Sequence, residues 1–273
     1  MFCREKHFTF PFLPVIRLRF GDLLQVLAFL LLVVAAGWGL AKGAENLGYS
    51  WYWNRIPRYL VVQDAAGWHF GPLLQGLGIT LTITGLGLLL SFAIGLITAL
   101  LRLSSSPLGR MLAKGYLETI RNTPLLIQIF ILYFVIAPIV GLDRFASAVI
   151  ALSLFEGAYA SEIIRAGILA IPVGQWEASA SLGMNRAQGY RFIVLPQALR
   201  NMLPPLTSQA ISLVKDSALV STIAIYDLTM QGQRLIAETF LTFEIWMTVA
   251  AIYLAVTLLL SLLVRMMESW LVT

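Results

Sequence analysis

From Leu73 to Leu101 the chain carries no charged side chain, and Arg102 closes the run. A helix needs about 20 mostly apolar residues to cross a bilayer, so this stretch is long enough to span with tilt. Composition argues the same way. Charged residues make up 12% of the chain, against about 25% in an ordinary soluble domain. Apolar residues reach 59% and the mean hydropathy is +0.82. Those values exclude a soluble enzyme, a disordered chain and an ordinary nucleic-acid binder. The chain reads as an integral membrane protein, all-α and multi-pass.

Five further helices follow from the same reasoning. The first apolar run is Leu23 to Ala41, flanked by Asp22 and Lys42 and preceded by a basic segment with Arg4, Lys6, Arg17 and Arg19. A cleaved signal peptide ending near Ala41 is the alternative, but the leader is long for one, and a retained helix is expected. A polar stretch, Gly43 to Pro72, then carries Trp51, Tyr52, Trp53, Tyr59 and Trp68, a composition suited to a membrane–water interface or a small packed loop. After the run at Leu73, spans are predicted at Tyr116–Val140, Phe145–Leu169, Pro204–Tyr226 and Ile245–Val264. The segment from Ile171 to Leu203 is too polar to be one.

Orientation follows from the basic residues. With the N-terminus inside, twelve of the nineteen Lys and Arg lie on inner segments. Five (Lys42, Arg55, Arg58, Arg144, Arg234) lie outside, and Arg121 and Lys215 fall within helices. That asymmetry predicts N-in and C-in, with the loop after the fourth span in the cytoplasm. The single cysteine, Cys3, excludes an internal disulfide, and His7 and His69 stand far apart, so no metal site and no cofactor of its own is expected.

The cytoplasmic loop reads as two short helices, Gln175–Leu182 and Asn185–Leu195, joined at Gly183. Its apolar residues Trp176, Leu182, Met184, Tyr190 and Phe192 must be covered, either by the chain's own helix ends or by a groove on a partner. Here a resemblance enters. Glu177-Ala178-Ser179, Gly183, Ile193 and Leu195-Pro196 resemble the EAA signature of ATP-binding-cassette importer permeases, departing from it only at Ser179. Arg121-Asn122-Thr123-Pro124-Leu125-Leu126-Ile127-Gln128, the helix with Ala158-Tyr159, Ser161-Glu162 and Arg165-Ala166-Gly167, and Lys215-Asp216-Ser217 are similar to segments of the polar amino-acid uptake branch, the histidine/glutamine/arginine/glutamate type. The likeness extends from about Gly71 to Glu268.

The resemblance implies a five-helix type I (MetI-like) core plus one extra N-terminal helix, six spans in all. Residues 1–70 would form the leader, first helix and external loop; 71–268 the permease core, with its coupling loop at 171–203; and 269–273 a tail. It further implies a bacterial inner-membrane location, an ATPase dimer that binds ATP and Mg, a second permease chain (identical or different), and an external amino-acid-binding protein. Glu177 would face a basic or amide group on the ATPase, and Gly183 would permit close backbone approach. No G-x-x-x-x-G-K-[ST] phosphate loop occurs in this sequence, so hydrolysis would lie elsewhere.

Charges within the predicted spans need a partner or a wet cavity, since each costs at least about 2.5 kcal/mol at the bilayer centre. Glu156, Glu162, Lys215 and Asp216 are such residues. Lys215 and Asp216 are about 100° apart around a helix, so one of them could pair with Glu156 or Glu162 while the other lines a pathway; the alternative is a buried interhelical ion network that locks the fold. Phe155, Tyr159, Gln209 and Ser212 could complete a polar-lined path, or could be packing. A carboxylate at Glu156 would suit the ammonium of an amino acid and tilts the reading toward basic or neutral polar substrates. The competing reading is a secondary transporter or channel driven by an ion gradient. It leaves the EAA loop unexplained and lacks the internal repeat that such transporters usually carry.

Overall fold

The computed structural model describes residues 20–46, 48–64 and 67–272, so the basic leader with Cys3 and His7 lies outside the described residues. The chain divides into two units, Met1–Trp51 and Tyr52–Thr273. In the first, α1 (Phe20–Asn46) contains the predicted apolar run and exposes it, from Leu24 to Trp38. The Lys42 ammonium lies 4.5 Å from the Trp38 ring. The second unit begins at Tyr52, inside the stretch assigned from sequence to the N-terminal segment. A short helix α2 (Pro57–Leu60) and an antiparallel hairpin, β1 (Val61–Asp64) with β2 (Gly67–Phe70), lead into α3 (Pro72–Leu103). Ile56 and Tyr59 are buried in one core with Leu73.

The remaining elements are α4 (Pro107–Arg121), α5 (Leu125–Phe130), a π-helical turn (Ile131–Ile136), α6 (Ala137–Val140), α7 (Arg144–Leu169), α8 (Val173–Ser181), α9 (Arg186–Gly189), α10 (Leu195–Asp216), α11 (Leu228–Thr239) and α12 (Thr242–Val272). Helix α12 runs on through most of the predicted tail. Helices α3 and α7 form the centre, and small residues let them touch. On α3, Gly87, Ser91 and Gly95 are buried at intervals of four; on α7, so are Ser153, Gly157 and Ser161. A Cβ at Gly95 would lie 2.8 Å from that of Ala160, and one at Gly157 would lie 2.9 Å from Ile94. Four-residue spacing puts such positions on one helix face, the arrangement by which helices associate in lipid.

The order of these contacts gives direction. Gly87 meets Ser153, Gly95 meets Gly157 and Ala160, and Arg102 meets Glu162, so α3 and α7 run parallel. Helix α10 runs antiparallel to α7: Ala198 and Met202 pack at Gly167, and Gln209 reaches Glu156. The chain beyond α10 arrives at Gly76, near the start of α3, where the Asp227 carbonyl lies against it.

Two predicted spans differ from the observed helices. Tyr116–Val140 is broken: α4 ends at Arg121, and Leu125–Val140 sets off at 106° to it. The cause is Pro124, which disfavours helix at Thr123 and removes an amide. The predicted Pro204–Tyr226 span is instead α10, which starts nine residues earlier and ends at Asp216 before a 3₁₀ segment, Ser217–Ile223. By length and apolarity four described helices qualify as spans, or five if the bent pair is one; α10, with Arg200, Lys215 and Asp216, is not among them.

Candidate functional site: the helical knob and the polar interior

Helix α8 ends in a turn dictated by its backbone. The Gly183 amide donates to the Ala180 carbonyl (2.9 Å) and the Met184 amide to that of Ser179 (3.1 Å), with Gly183 at φ +74°. These are the two bonds of a Schellman motif, which requires a left-handed residue where glycine stands. Two residues on, Asn185 and Gln188 cap α9 reciprocally, each side chain accepting from the other's amide at 2.9 Å. Ser179 is buried against Gly189, where an added Cβ would lie 3.0 Å from the serine hydroxyl, so a small residue suits the third position of the signature. Trp176 stacks edge-on with Tyr190 (4.7 Å) and packs on the chain's own core. Glu177, Ala178, Leu182, Phe192, Leu195 and Pro196 are exposed, and Ile193 is half-buried. The apolar stripe read from the sequence is therefore divided, with one part covered internally and Leu182 and Phe192 open.

The α4–α5 break explains another motif. The Asn122 side chain donates to the Glu118 carbonyl (2.7 Å), and the Gln128 amide reaches back to the carbonyls of Ile120 (2.7 Å) and Thr123 (2.8 Å). The Ile120 carbonyl, whose helical donor would be the amide that Pro124 lacks, is thus closed by the Gln128 side chain. Arg121 lies 3.4 Å from Glu162, which Arg165 (3.1 Å) and Arg102 also grip. In the sequence Arg102 marks only the end of an apolar run. Its bond to Glu162 is sixty residues distant, and no local signal announces it.

Deeper in the bundle, Glu156 is 2% exposed. Its Oε2 accepts from Gln209 Nε2 at 2.6 Å, its Oε1 has no hydrogen-bond partner among the described residues, and the Asp216 carboxyl lies beside it. A cavity of about 300 Å³ between α3, α7 and α10 reaches this point, with Ser91, Thr207 and Gln209 in its wall. Of the two adjacent charges on α10 it is Asp216 that meets Glu156; Lys215 is exposed and has no ion pair among the described residues. The reason is the 100° step, since α10 turned to bring Asp216 to α7 must point Lys215 away. Tyr159 stacks on Phe155 (5.1 Å) and lies with Glu162 along a different cavity, nearer the C-terminal ends of α3 and α7. Glu162 is thus engaged by arginines and stands apart from Glu156.

The bundle is thus packed through small residues, carries a capped helical knob beyond one end and holds a partly unsatisfied carboxylate in its interior. The chain belongs to the family described as binding-protein-dependent transport system inner membrane component, which matches residues 91–272. It is 39% identical over 208 residues to the glutamine transport system permease protein GlnP of Escherichia coli (strain K12), covering 75% of this chain and 95% of that one. It is 42% identical over 217 residues to the L-cystine transport system permease protein TcyB of Bacillus subtilis (strain 168), covering 78% and 90%. Among solved structures, an amino acid ABC transporter crystallised with histidines superposes with a TM-score of 0.69 at 39% identity, over 72% of this chain and 93% of that one. The MetNI methionine ABC transporter, inward facing, shares the fold at TM-score 0.64 and 22% identity, over 73% and 96%.

Proposed function

We propose that this chain is the membrane-spanning subunit of an ATP-driven importer of polar amino acids in a bacterial inner membrane, taking no part in hydrolysis. The observation that carries this reading is the α8–α9 knob: a capped, rigid projection with Leu182 and Phe192 open beside exposed Glu177. Such a projection suits a cleft on an ATPase subunit, and an ATPase dimer closing beneath two permease chains would convert that closure into movement of the bundle. The relatives named for glutamine and cystine transport support amino acids as cargo. An external binding protein would deliver them, and a second permease chain, identical or different, would complete the path.

Six spans with both ends inside are consistent with the packing directions. Parallel α3 and α7 require the intervening Leu125–Val140 to cross once in the opposite sense, which leaves α4 at the inner surface. Antiparallel α10 crosses back with Asp216 turned toward Glu156 while Arg200 and Lys215, near its two ends, stay exposed, and α1 supplies the additional span. Residues 71–268 form the importer core in this reading, with 1–70 an addition. The ammonium of the passing amino acid would meet Glu156 Oε1 and Asp216, with Gln209 orienting Glu156. The test is reconstitution of the permease with its ATPase and binding protein in proteoliposomes, loaded with ATP and offered radiolabelled amino acids singly. ATP-dependent accumulation of a polar amino acid is expected, and accumulation driven by an ion gradient without ATP would overturn the proposal.

A further inference from the structure

A second cavity, of about 590 Å³, opens between α4 and the inner ends of α3 and α7. Its wall carries Arg102, Arg110, Lys114 and Arg121 against two carboxylates, Glu118 and Glu162. Glu162 is already shared by Arg102, Arg121 and Arg165, and Glu118 accepts from Asn122 at 3.1 Å. Arg110 and Lys114 sit one turn apart, both exposed, and neither has an ion pair among the described residues. Asn122 is neutral and leaves the Glu118 charge in place, yet four cations against two carboxylates leave the wall net positive, and the transport reading does not use that charge.

Helix α4 gives that charge a setting. It lies at 106° to Leu125–Val140, so it runs along the membrane surface if that segment crosses. Its face towards the protein is Gly109, Ala113 and Leu117, all buried. On the side away from the bundle, Leu108, Met111 and Leu112 are 61%, 64% and 60% exposed. Helical geometry sets Arg110, Lys114 and Arg121 between these two faces, with Glu118 the one carboxylate of α4 beside them. A helix lying flat with apolar side chains turned outward and cations beside them has the character of an interfacial segment that meets anionic lipid.

We propose that this cleft binds the headgroup of an anionic phospholipid, the phosphate held by Arg110 and Lys114 and the acyl chains lying along Leu108, Met111 and Leu112. The cavity is roomy enough for a phosphodiester with its glycerol, and two cations one turn apart suit its charge-assisted hydrogen bonds. The proposal concerns a cleft separate from the Glu156 cavity and does not depend on which solute is carried.

The test uses the full-length chain extracted in mild detergent as its assembled complex. Dioleoylphosphatidylglycerol and dioleoylphosphatidylcholine are added in equal amounts, and retained lipid is counted by native mass spectrometry. Preferential retention of phosphatidylglycerol is expected, falling roughly ten-fold or more in Arg110→Gln/Lys114→Gln. The comparison variant is Arg200→Gln/Arg265→Gln, which removes two exposed arginines elsewhere and should keep the preference. Because Arg110 and Lys114 are exposed, the variant is expected to fold, checked by its yield and melting temperature. Equal loss in both double variants would reveal diffuse attraction and overturn the site. Equal retention of the two lipids would overturn it as well, as would full displacement of phosphatidylglycerol by millimolar inorganic phosphate at constant ionic strength.

Discussion

Substituting Gly183 separates backbone strain from partner contact, because the structure assigns a different consequence to each. The residue sits at φ +74°, and a Cβ built there meets nothing within 4 Å. No internal clash follows from any side chain, so the intrinsic penalty is the left-handed conformation, about 1–2 kcal/mol for an L-residue. Asparagine tolerates that region better than alanine does. Strain alone therefore ranks the variants as Asn milder than Ala. Contact with a closely apposed ATPase ranks them by size and charge: Ala mildest, then Asn, then Asp, whose carboxylate would also be desolvated. A loss of 1–2 kcal/mol is a modest part of a typical folding stability, so all three variants should reach the membrane. The assay is co-purification of the ATPase with each permease, followed by substrate-stimulated ATP turnover in proteoliposomes. Coupling is expected to fall in the order Gly, Ala, Asn, Asp at nearly constant melting temperature. If Gly183→Asp keeps both ATPase binding and stimulated turnover, the knob is not the coupling element and the reasoning fails.

Four other outcomes follow. Cysteine placed at Gln63 or Asn185, in a Cys3→Ser background, should react with an impermeant thiol reagent in intact cells only at position 63; labelling at 185 would reverse the orientation. Gly157→Leu drives a branched side chain into Ile94 and should destabilise the bundle by roughly 1–3 kcal/mol, seen as a lower detergent melting temperature. Gly115→Leu, at a position open to 4 Å, should not. Glu156→Gln should fold normally, since it removes a carboxylate that faces another, yet lose ATP-driven uptake, whereas Lys215→Ala should leave stability little changed; normal uptake by Glu156→Gln would remove that residue from the path. Asp227, at the N-cap of α11 with its Oδ1 accepting from Met230 (2.8 Å), is pushed up to about 6 by burial. The folded state therefore holds its proton more tightly than the unfolded chain does. The resulting stability is present below about pH 4, the unfolded value, and is lost as pH rises through 6. Asp227→Asn keeps the cap and should flatten this stretch of a melting-temperature profile.

Much of the architecture was legible because its causes are local. Hydropathy over one helix length marks α1, α3, α7 and α12, since each must satisfy its backbone within itself in lipid. The Gly183 turn and the Asn185–Gln188 cap are decided by residues within a few positions of each other. Some local signals were present and went unread. Pro124 alone could have marked the break in Tyr116–Val140, and the four-residue spacing of Gly87, Ser91 and Gly95 could have marked the α3–α7 contact. Helix α10 was read too far along the chain because its charges and prolines depress its apolarity, and hydropathy cannot tell a helix facing protein and cavity from one facing water.

What only the tertiary structure decided is which distant side chains meet. Sequence placed Glu156, Glu162, Lys215 and Asp216 inside the membrane, but it could not set the rotation and register of one helix against another. Small-residue packing brings α3 against α7 so that Arg102 reaches Glu162, and the turn of α10 presents Gln209 and Asp216 to Glu156 while sending Lys215 outward. A helix's periodicity says which residues share a face. Packing against its neighbours decides what that face meets, because the preference is summed over many weak contacts that no short stretch of sequence contains.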